Sequence, residues 1–448
     1  MSETKKYIYD FSEGDASMRN LLGGKGANLA QMWKIGLPVP PGFILTTEAC
    51  HKYWEDNDFI SKIWSDVKKA IVRVEKLTEK TFGGTKNPLL VSVRSGAPVS
   101  MPGMMDTILN LGLNDDTVKA LAEAAGDERF AYDSYRRFIQ MFSDVVLGVD
   151  LAKFEKRLNK TKNIIGVTED YKIPADALKV LVKDYKEIVK EAGHEFPSDP
   201  WVQLRLAIDA VFRSWNTPRA ITYRKINDIP SSYGTAVSIV TMVFGNLGDD
   251  CGTGVCFTRS PSTGENKLFG EYLINAQGED VVAGIRTPIA ISSLAEAMPA
   301  VFEEFSRIAK LLEEHYKDAQ DIEFTIEKGK LFILQTRNGK RTAAAAVKVA
   351  VDMFRDGLID EKTALSRVAP EQVEQLLHPQ IDPKAEVRAL ARALPASPGA
   401  AVGAVVFDAD EAVERGRSGE AVILVRPETT PDDIHGLFAS QGVLTSHG

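Results

Sequence analysis

Cysteine is scarce in this chain: three occur in 448 residues, Cys50, Cys251 and Cys256, none in C-x-x-C spacing. That excludes a disulfide framework and a zinc site and leaves buried thiols as the expectation. No run reaches the ~20 uncharged apolar residues that cross a bilayer. The opening M-S-E-T-K-K-Y-I-Y-D-F has no apolar signal core, so a soluble, cytoplasmic protein with no membrane partner is expected. A basic excess is missing too: 54 Lys and Arg stand against 62 Asp and Glu, a net charge of -8. The basic residues are spread through the helices, so nucleic acid is not an expected partner. Internal repeats and low-complexity tracts are also lacking. An apolar content of 44% over this length is ordinary for packed cores and suits about three domains.

Along the chain the texture changes. Residues 1–114 alternate short apolar runs with glycine-rich joints, the texture of an α/β subdomain. Residues 115–197 carry long amphipathic stretches such as V-L-V-K-D-Y-K-E-I-V-K and read as a helical insertion. Strand character returns over 198–340, in G-T-A-V-S-I-V-T-M-V-F-G, V-C-F-T-R-S and a hairpin at 321–337. Residues 341–392 read as a helical linker, A-L-P-A-S-P-G-A as a boundary loop, and 393–448 as the start of a small α/β domain.

Several stretches carry chemistry. Gly23-Gly24-Lys25-Gly26 precedes a helix, where glycines let backbone N–H groups approach phosphate and a lysine adds a point charge. It is not a Walker A loop, and a surface turn accounts for it as well. In V-S-V-R-S-G-A-P-V-S-M-P-G-M-M-D, Arg94 ends a buried strand, well placed to clamp a phosphate, or else to make a structural ion pair. Gly252-Thr253-Gly254 reads as a flexible turn with backbone donors, or as an ordinary hairpin turn.

The strongest local signal is D-I-E-F-T-I-E-K-G-K-L-F-I-L-Q-T-R, in which apolar Ile322, Phe324 and Ile326 alternate with Asp321, Glu323 and Thr325. A three-residue loop Glu327-Lys328-Gly329 would put Glu323 and Gln335 on one face, where one Mg²⁺ and its phosphates could bind. A two-residue Lys328-Gly329 loop would put them on opposite faces and remove the site. Arg337 shares the face of Gln335 and could meet an anion.

Taken in order, G-G-K-G-A-N-L-A-Q-M, S-V-R-S-G-A, S-M-P-G-M-M-D-T-I-L-N-L-G and L-Q-T-R-N-G-K-R-T resemble the pyruvate, phosphate dikinase family over essentially the whole chain. The resemblance implies an ATP-grasp nucleotide-binding fold with a helical insertion, a linker, and the start of a swivelling phosphohistidine domain. By it Lys25, Arg94 and Arg337 contact ATP phosphates, the two arginines in catalytic roles. Glu323 and Gln335 hold Mg²⁺, Asp321 supports them, and Gly103, Thr253 and Gly254 belong to loops closing over the nucleotide. The family reaction turns ATP, phosphate and pyruvate into AMP, pyrophosphate and phosphoenolpyruvate through a phosphohistidine. Pyruvate and phosphoenolpyruvate bind a separate C-terminal barrel, and the longer protein would form a homodimer. Pro98 departs from the pattern, where a basic residue is expected, and would weaken one phosphate contact.

The ending G-V-L-T-S-H-G is similar to the first part of the family's G-[IV]-L-T-x-x-G-G-x-T-S-H, which places Ser446 and His447 on the variable pair. The phosphocarrier histidine is therefore expected beyond Gly448 rather than at His447, and this chain is expected to supply the Mg·ATP-binding half. Two rival readings are a phosphoenolpyruvate synthase-like dikinase, whose hairpin tends to continue as Q-A-R-P rather than Q-T-R-N, and a non-catalytic ATP-binding remnant.

Overall fold

The computed structural model describes residues 5–282, 286–377, 390–391, 393, 400–430 and 433–446. The chain divides into two compact units, residues 1–248 with 332–335, and residues 249–331 with 336–448.

In the first unit five antiparallel strands lie in the order Ile8–Asp10, Gly42–Leu45, Ala236–Thr241, Val91–Gly96 and Thr107–Leu111. Because side chains alternate along a strand, Phe43, Leu45, Val91, Val93, Ile108, Val237 and Ile239 enter one large core. Ile44, Ser238, Arg94 and Thr107 align across the opposite face. The helix Arg19–Lys34 lies against that second face: a Cβ on Gly26 would stand 3.0 Å from the Ile44 side chain.

The block 115–197 contains helices and no strand, among them Thr117–Ala125, Glu128–Val145, Leu151–Ile165 and Ala175–Glu191. Asp127 starts the second of these by accepting the Phe130 N–H at 3.0 Å. Helical spacing buries Phe130, Phe138, Phe142, Phe154, Leu178 and Tyr185, which join the same core as the sheet. Each such burial contributes ~2–3 kcal/mol, and the block's apolar interior is continuous with that of the strands.

The strands Ile289–Ala290, Phe269–Ile274, Gly252–Phe257, Gln320–Glu327 and Lys330–Asn338 form a second sheet in that order, residues 332–335 being grouped with the first unit and the rest with the second. The helix Pro299–Tyr316 covers one face, with Phe305 against Phe324 at a ring separation of 4.7 Å. The helices Ala343–Arg355 and Glu361–Ser366 follow, and Ala319, Val349, Met353 and Ile359 form a satellite core. Of the expected boundary loop, residues 394–399 lie outside the described residues. A small parallel sheet, Ala404–Val406, Val422–Arg426 and Gly442–Thr445, has its own core of Val406, Ala412, Val422 and Leu424. Among the described residues no helix is long and apolar enough to cross a membrane.

Candidate functional site

In the first unit the glycine turn and the Arg94 strand meet. Gly23 breaks the helix Arg19–Lys34 with a left-handed φ of 69°. It lies so close to the next loop that a Cβ would sit 1.8 Å from the Gly96 carbonyl oxygen. One residue on, the Gly24 N–H donates to the Ala97 carbonyl at 2.8 Å. Gly23 and Gly26 therefore have a packing reason to be glycine, against a strand end and against Ile44. Lys25 stands between them, half-buried, and a Cβ on Gly96 would lie 3.5 Å from its own Cβ. Arg94 occupies the same sheet face as Ser238 and Thr107, the face over which this helix runs. Lys25 and Arg94 are thus brought to one end of one sheet.

The loop after Arg94 closes on itself through Met104 N–H to Met101 carbonyl at 3.2 Å, with Met101 and Met104 buried and Gly103 exposed at a φ of 71°. The methionines pack, as their apolar length favours. Asp106 ends the loop in an ion pair with Arg219. Burial pushes its carboxyl above the usual range, opposed by that guanidinium.

In the second unit the stretch expected to be a flexible glycine turn is the central strand Gly252–Phe257. A Cβ on Gly254 would stand 2.5 Å from the Glu271 carbonyl and 2.8 Å from the Phe324 ring, so strand-to-strand approach and packing demand glycine there. Thr253 points to the other face, its hydroxyl 3.2 Å from that of Thr325 and 3.0 Å from the Phe324 carbonyl. Thr253 and Gly254 therefore belong to a strand, and the loop expectation for both is corrected.

The hairpin turn is Lys328-Gly329, both residues left-handed at φ 51° and 70°, with Glu327 still in its strand. The Lys328 N–H donates to Cys251 Sγ at 3.1 Å and the Gly329 N–H to the Asp250 carbonyl at 2.9 Å, which ties the turn down. The three-residue loop is thus overturned. Carried along unbroken, the two-residue turn would set Asp321 opposite Thr336 and Gln320 opposite Arg337. The side chains pair otherwise. Arg337 Nε donates to Asp321 Oδ2 at 2.7 Å, Thr336 Oγ1 to Gln320 Oε1 at 3.1 Å, and Gln320 Nε2 to Asn338 Oδ1 at 3.1 Å.

These contacts put Arg337 on the side of Asp321, and Thr336 and Asn338 on the side of Gln320. Leu331, Ile333 and Thr336 are buried along the second strand. Gln335 is itself buried, Glu323 half-buried.

Asp321 is buried beside the exposed-side Arg337, whose side chain keeps 44% of its surface. Burial raises the Asp321 carboxyl above the usual range; the Arg337 guanidinium opposes this and the Glu323 carboxylate adds to it. The pair fixes Arg337 at its Nε and leaves much of the guanidinium in solvent. All three cysteines are buried, and burial pushes the Cys50 and Cys256 thiols up to about 11 and about 12. His447 lies outside the described residues.

This fold, antiparallel and parallel sheets flanked by helices, defines an α/β protein. The profile of the family described as "Pyruvate phosphate dikinase, AMP/ATP-binding domain" matches residues 19–76, 61–301 and 290–357. The chain belongs to this family. It is 56% identical to pyruvate, phosphate dikinase of Clostridium symbiosum over 99% of its length and 51% of that protein's. It is 54% identical to that of Rhizobium meliloti (strain 1021), covering 99% of this chain and 51% of the relative. A third, from Entamoeba histolytica, is 53% identical, with 98% and 50% covered. The chain thus spans about half the length of the relatives it matches.

Proposed function

We propose that this chain is the Mg·ATP-binding half of a pyruvate, phosphate dikinase, which converts ATP, phosphate and pyruvate into AMP, pyrophosphate and phosphoenolpyruvate. The observation that carries the reading is the Asp321–Arg337 pair on the hairpin whose strands also carry Glu323 and Gln335, in a chain of the AMP/ATP-binding family. In this reading the fold is an ATP-grasp, 1–114 and 198–340 being its subdomains, 115–197 a helical insertion, 341–392 a linker and 393–448 the start of a phosphohistidine domain. Lys25 and Arg94 bind phosphate oxygens from the first unit. Glu323 and Gln335 hold Mg²⁺, an oxygen donor set that suits an ion which keeps most of its shell for water and phosphates. Arg337, steadied by Asp321, meets the phosphates. Gly103, Thr253 and Gly254 line the nucleotide's surroundings.

Such a site does little covalent work: it orients the triphosphate and neutralises its oxygens while the phosphoryl group leaves. The remaining parts of the reading are a cytoplasmic location, homodimeric assembly, and a pyruvate site in a separate barrel. The test is incubation with Mg²⁺ and ATP labelled at the β-phosphate, beside a Mg·ATP titration and the His447→Ala variant. Measurable Mg·ATP binding without acid-labile protein label supports the reading. Absence of binding refutes it, and label that disappears in His447→Ala makes His447 the phosphocarrier.

A further inference from the structure

We propose that Arg19 is a third cationic contact for the nucleotide's phosphates, acting beside Lys25 and Arg94; the inference rests on the ATP-binding reading above. Arg19 opens the helix that Gly23 breaks, and its side chain reaches across to the loop after Arg94, where Nε donates to the Pro98 carbonyl at 2.6 Å. Its Nη2 lies 3.6 Å from the point where a Cβ on Gly24 would stand. The guanidinium thus bridges the glycine turn, one residue before Lys25 at Gly24, and the Arg94 loop, four residues past Arg94 at Pro98.

Two further observations turn this bridge from a latch into a binding group. Arg19 is exposed and makes no ion pair among the described residues, in a chain with eight more acids than bases. Its charge is therefore unspent, at the place where Lys25 and Arg94 converge. In addition, the two loop carbonyls beside the turn are both tied off, Ala97 by the Gly24 N–H and Pro98 by Arg19. Carbonyl oxygens left open there would repel a phosphate. Each carbonyl already accepts one hydrogen bond, and the planar fork of Arg19 still has Nη hydrogens to offer an oxyanion. Pro98 brings neither an N–H nor a charge of its own, so Arg19 supplies what that loop position lacks.

The test is calorimetric titration of the full chain, wild type and variants, with Mg·ATP, Mg·ADP, AMP and adenosine. Arg19→Ala is expected to weaken Mg·ATP binding about tenfold, as loss of one charge-assisted contact does, AMP less, and adenosine not at all. Arg19→Lys, which keeps the charge, is expected to stay closer to wild type than Arg19→Ala. Arg19→Ala with Pro98→Arg, which returns a guanidinium to the loop, is expected to regain part of the loss. Equal affinity of wild type and Arg19→Ala for Mg·ATP would overturn the proposal. So would an equal loss for ATP and adenosine, the mark of a purely structural latch, or Arg19→Lys as weak as alanine. A wild-type chain that binds adenosine and Mg·ATP alike would sink the phosphate reading itself and this inference with it.

Discussion

Gly23→Ala is the substitution whose cost the structure sets most directly. Two effects add. Alanine at a φ of 69° and a ψ of 165° is forced into a region that is essentially glycine-only, at about 1 kcal/mol at the least. Its Cβ would also sit 1.8 Å from the Gly96 carbonyl oxygen and 2.7 Å from the Gly96 carbonyl carbon, both backbone atoms with no rotamer to give way. The strand end and the glycine turn must part, which breaks the bond from Gly24 N–H to the Ala97 carbonyl, at about 1 kcal/mol. Residual strain adds about 1–3 kcal/mol.

The whole comes to about 4 kcal/mol, or roughly 8–16 °C in Tm for a unit of this size. Gly126→Ala is the control for the steric part, since Gly126 also has a φ of 69°, at ψ 18° in the αL region where Gly23 is at ψ 165°, and nothing lies within 4 Å of its Cβ position. It carries only the conformational part, roughly 2–4 °C. The assay is thermal unfolding of both variants beside wild type, followed by Mg·ATP titration, in which Gly23→Ala should also bind weakly because Lys25 is displaced. If the two variants melt together, the close approach of the turn to Gly96 does not exist and the argument that Gly23 is there for packing fails.

Glu323→Gln should weaken Mg²⁺-dependent ATP binding by about tenfold or more while leaving Mg²⁺-free AMP binding unchanged, as measured by titration with and without the metal; equal effects on both would remove Glu323 from the metal. Asp321→Asn should leave thermal stability nearly unchanged, because the buried carboxylate is held above its ordinary pKa and Arg337 stays hydrated. A raised folded pKa means the native state binds the extra proton, so wild-type stability falls as pH rises from the ordinary 3.8 through the raised value. Melting against pH should therefore show the variant gaining on wild type across that window, and a gain in the opposite direction refutes the assignment. Asp133→Asn is the reverse case. Burial pushes that carboxyl up, yet Arg136, Arg137 and Arg129 outweigh it and hold it well below 3.8. The substitution leaves buried Arg136 with Asp170 as its remaining carboxylate partner and should cost about 2–3 kcal/mol in urea unfolding at neutral pH, and the gap to wild type should close as pH falls from 3.8 toward the lowered folded value, where the unfolded chain takes up a proton that the native carboxylate does not.

Much of this was legible in the order of residues. The helical block over 115–197 announces itself by 3.6-residue spacing, and the strands by short β-branched runs between glycines. The acids of D-I-E-F-T-I-E stand out because period two leaves one face apolar. The buried thiols follow from scarcity alone. Other features were misread for a physical reason. Gly252-Thr253-Gly254 looks like a loop because glycine usually marks one, yet here Gly254 is demanded by the Phe324 ring and the Glu271 carbonyl, groups roughly 70 and 20 residues away in sequence. The place of Arg19 has no local signature, since its bond to Pro98 joins residues 79 apart.

The sequence by itself determined the family, the succession of helical and strand segments, and the set of lysine, arginine, acid and amide side chains available for a phosphate. Local spacing carries those, since each depends on neighbours within a turn or a strand. Only the tertiary structure decided which of them share a face. Across the Lys328-Gly329 turn Arg337 meets Asp321, and Thr336 and Asn338 meet Gln320. No pattern along one strand encodes those partners, because they exist only in the pairing of two strands.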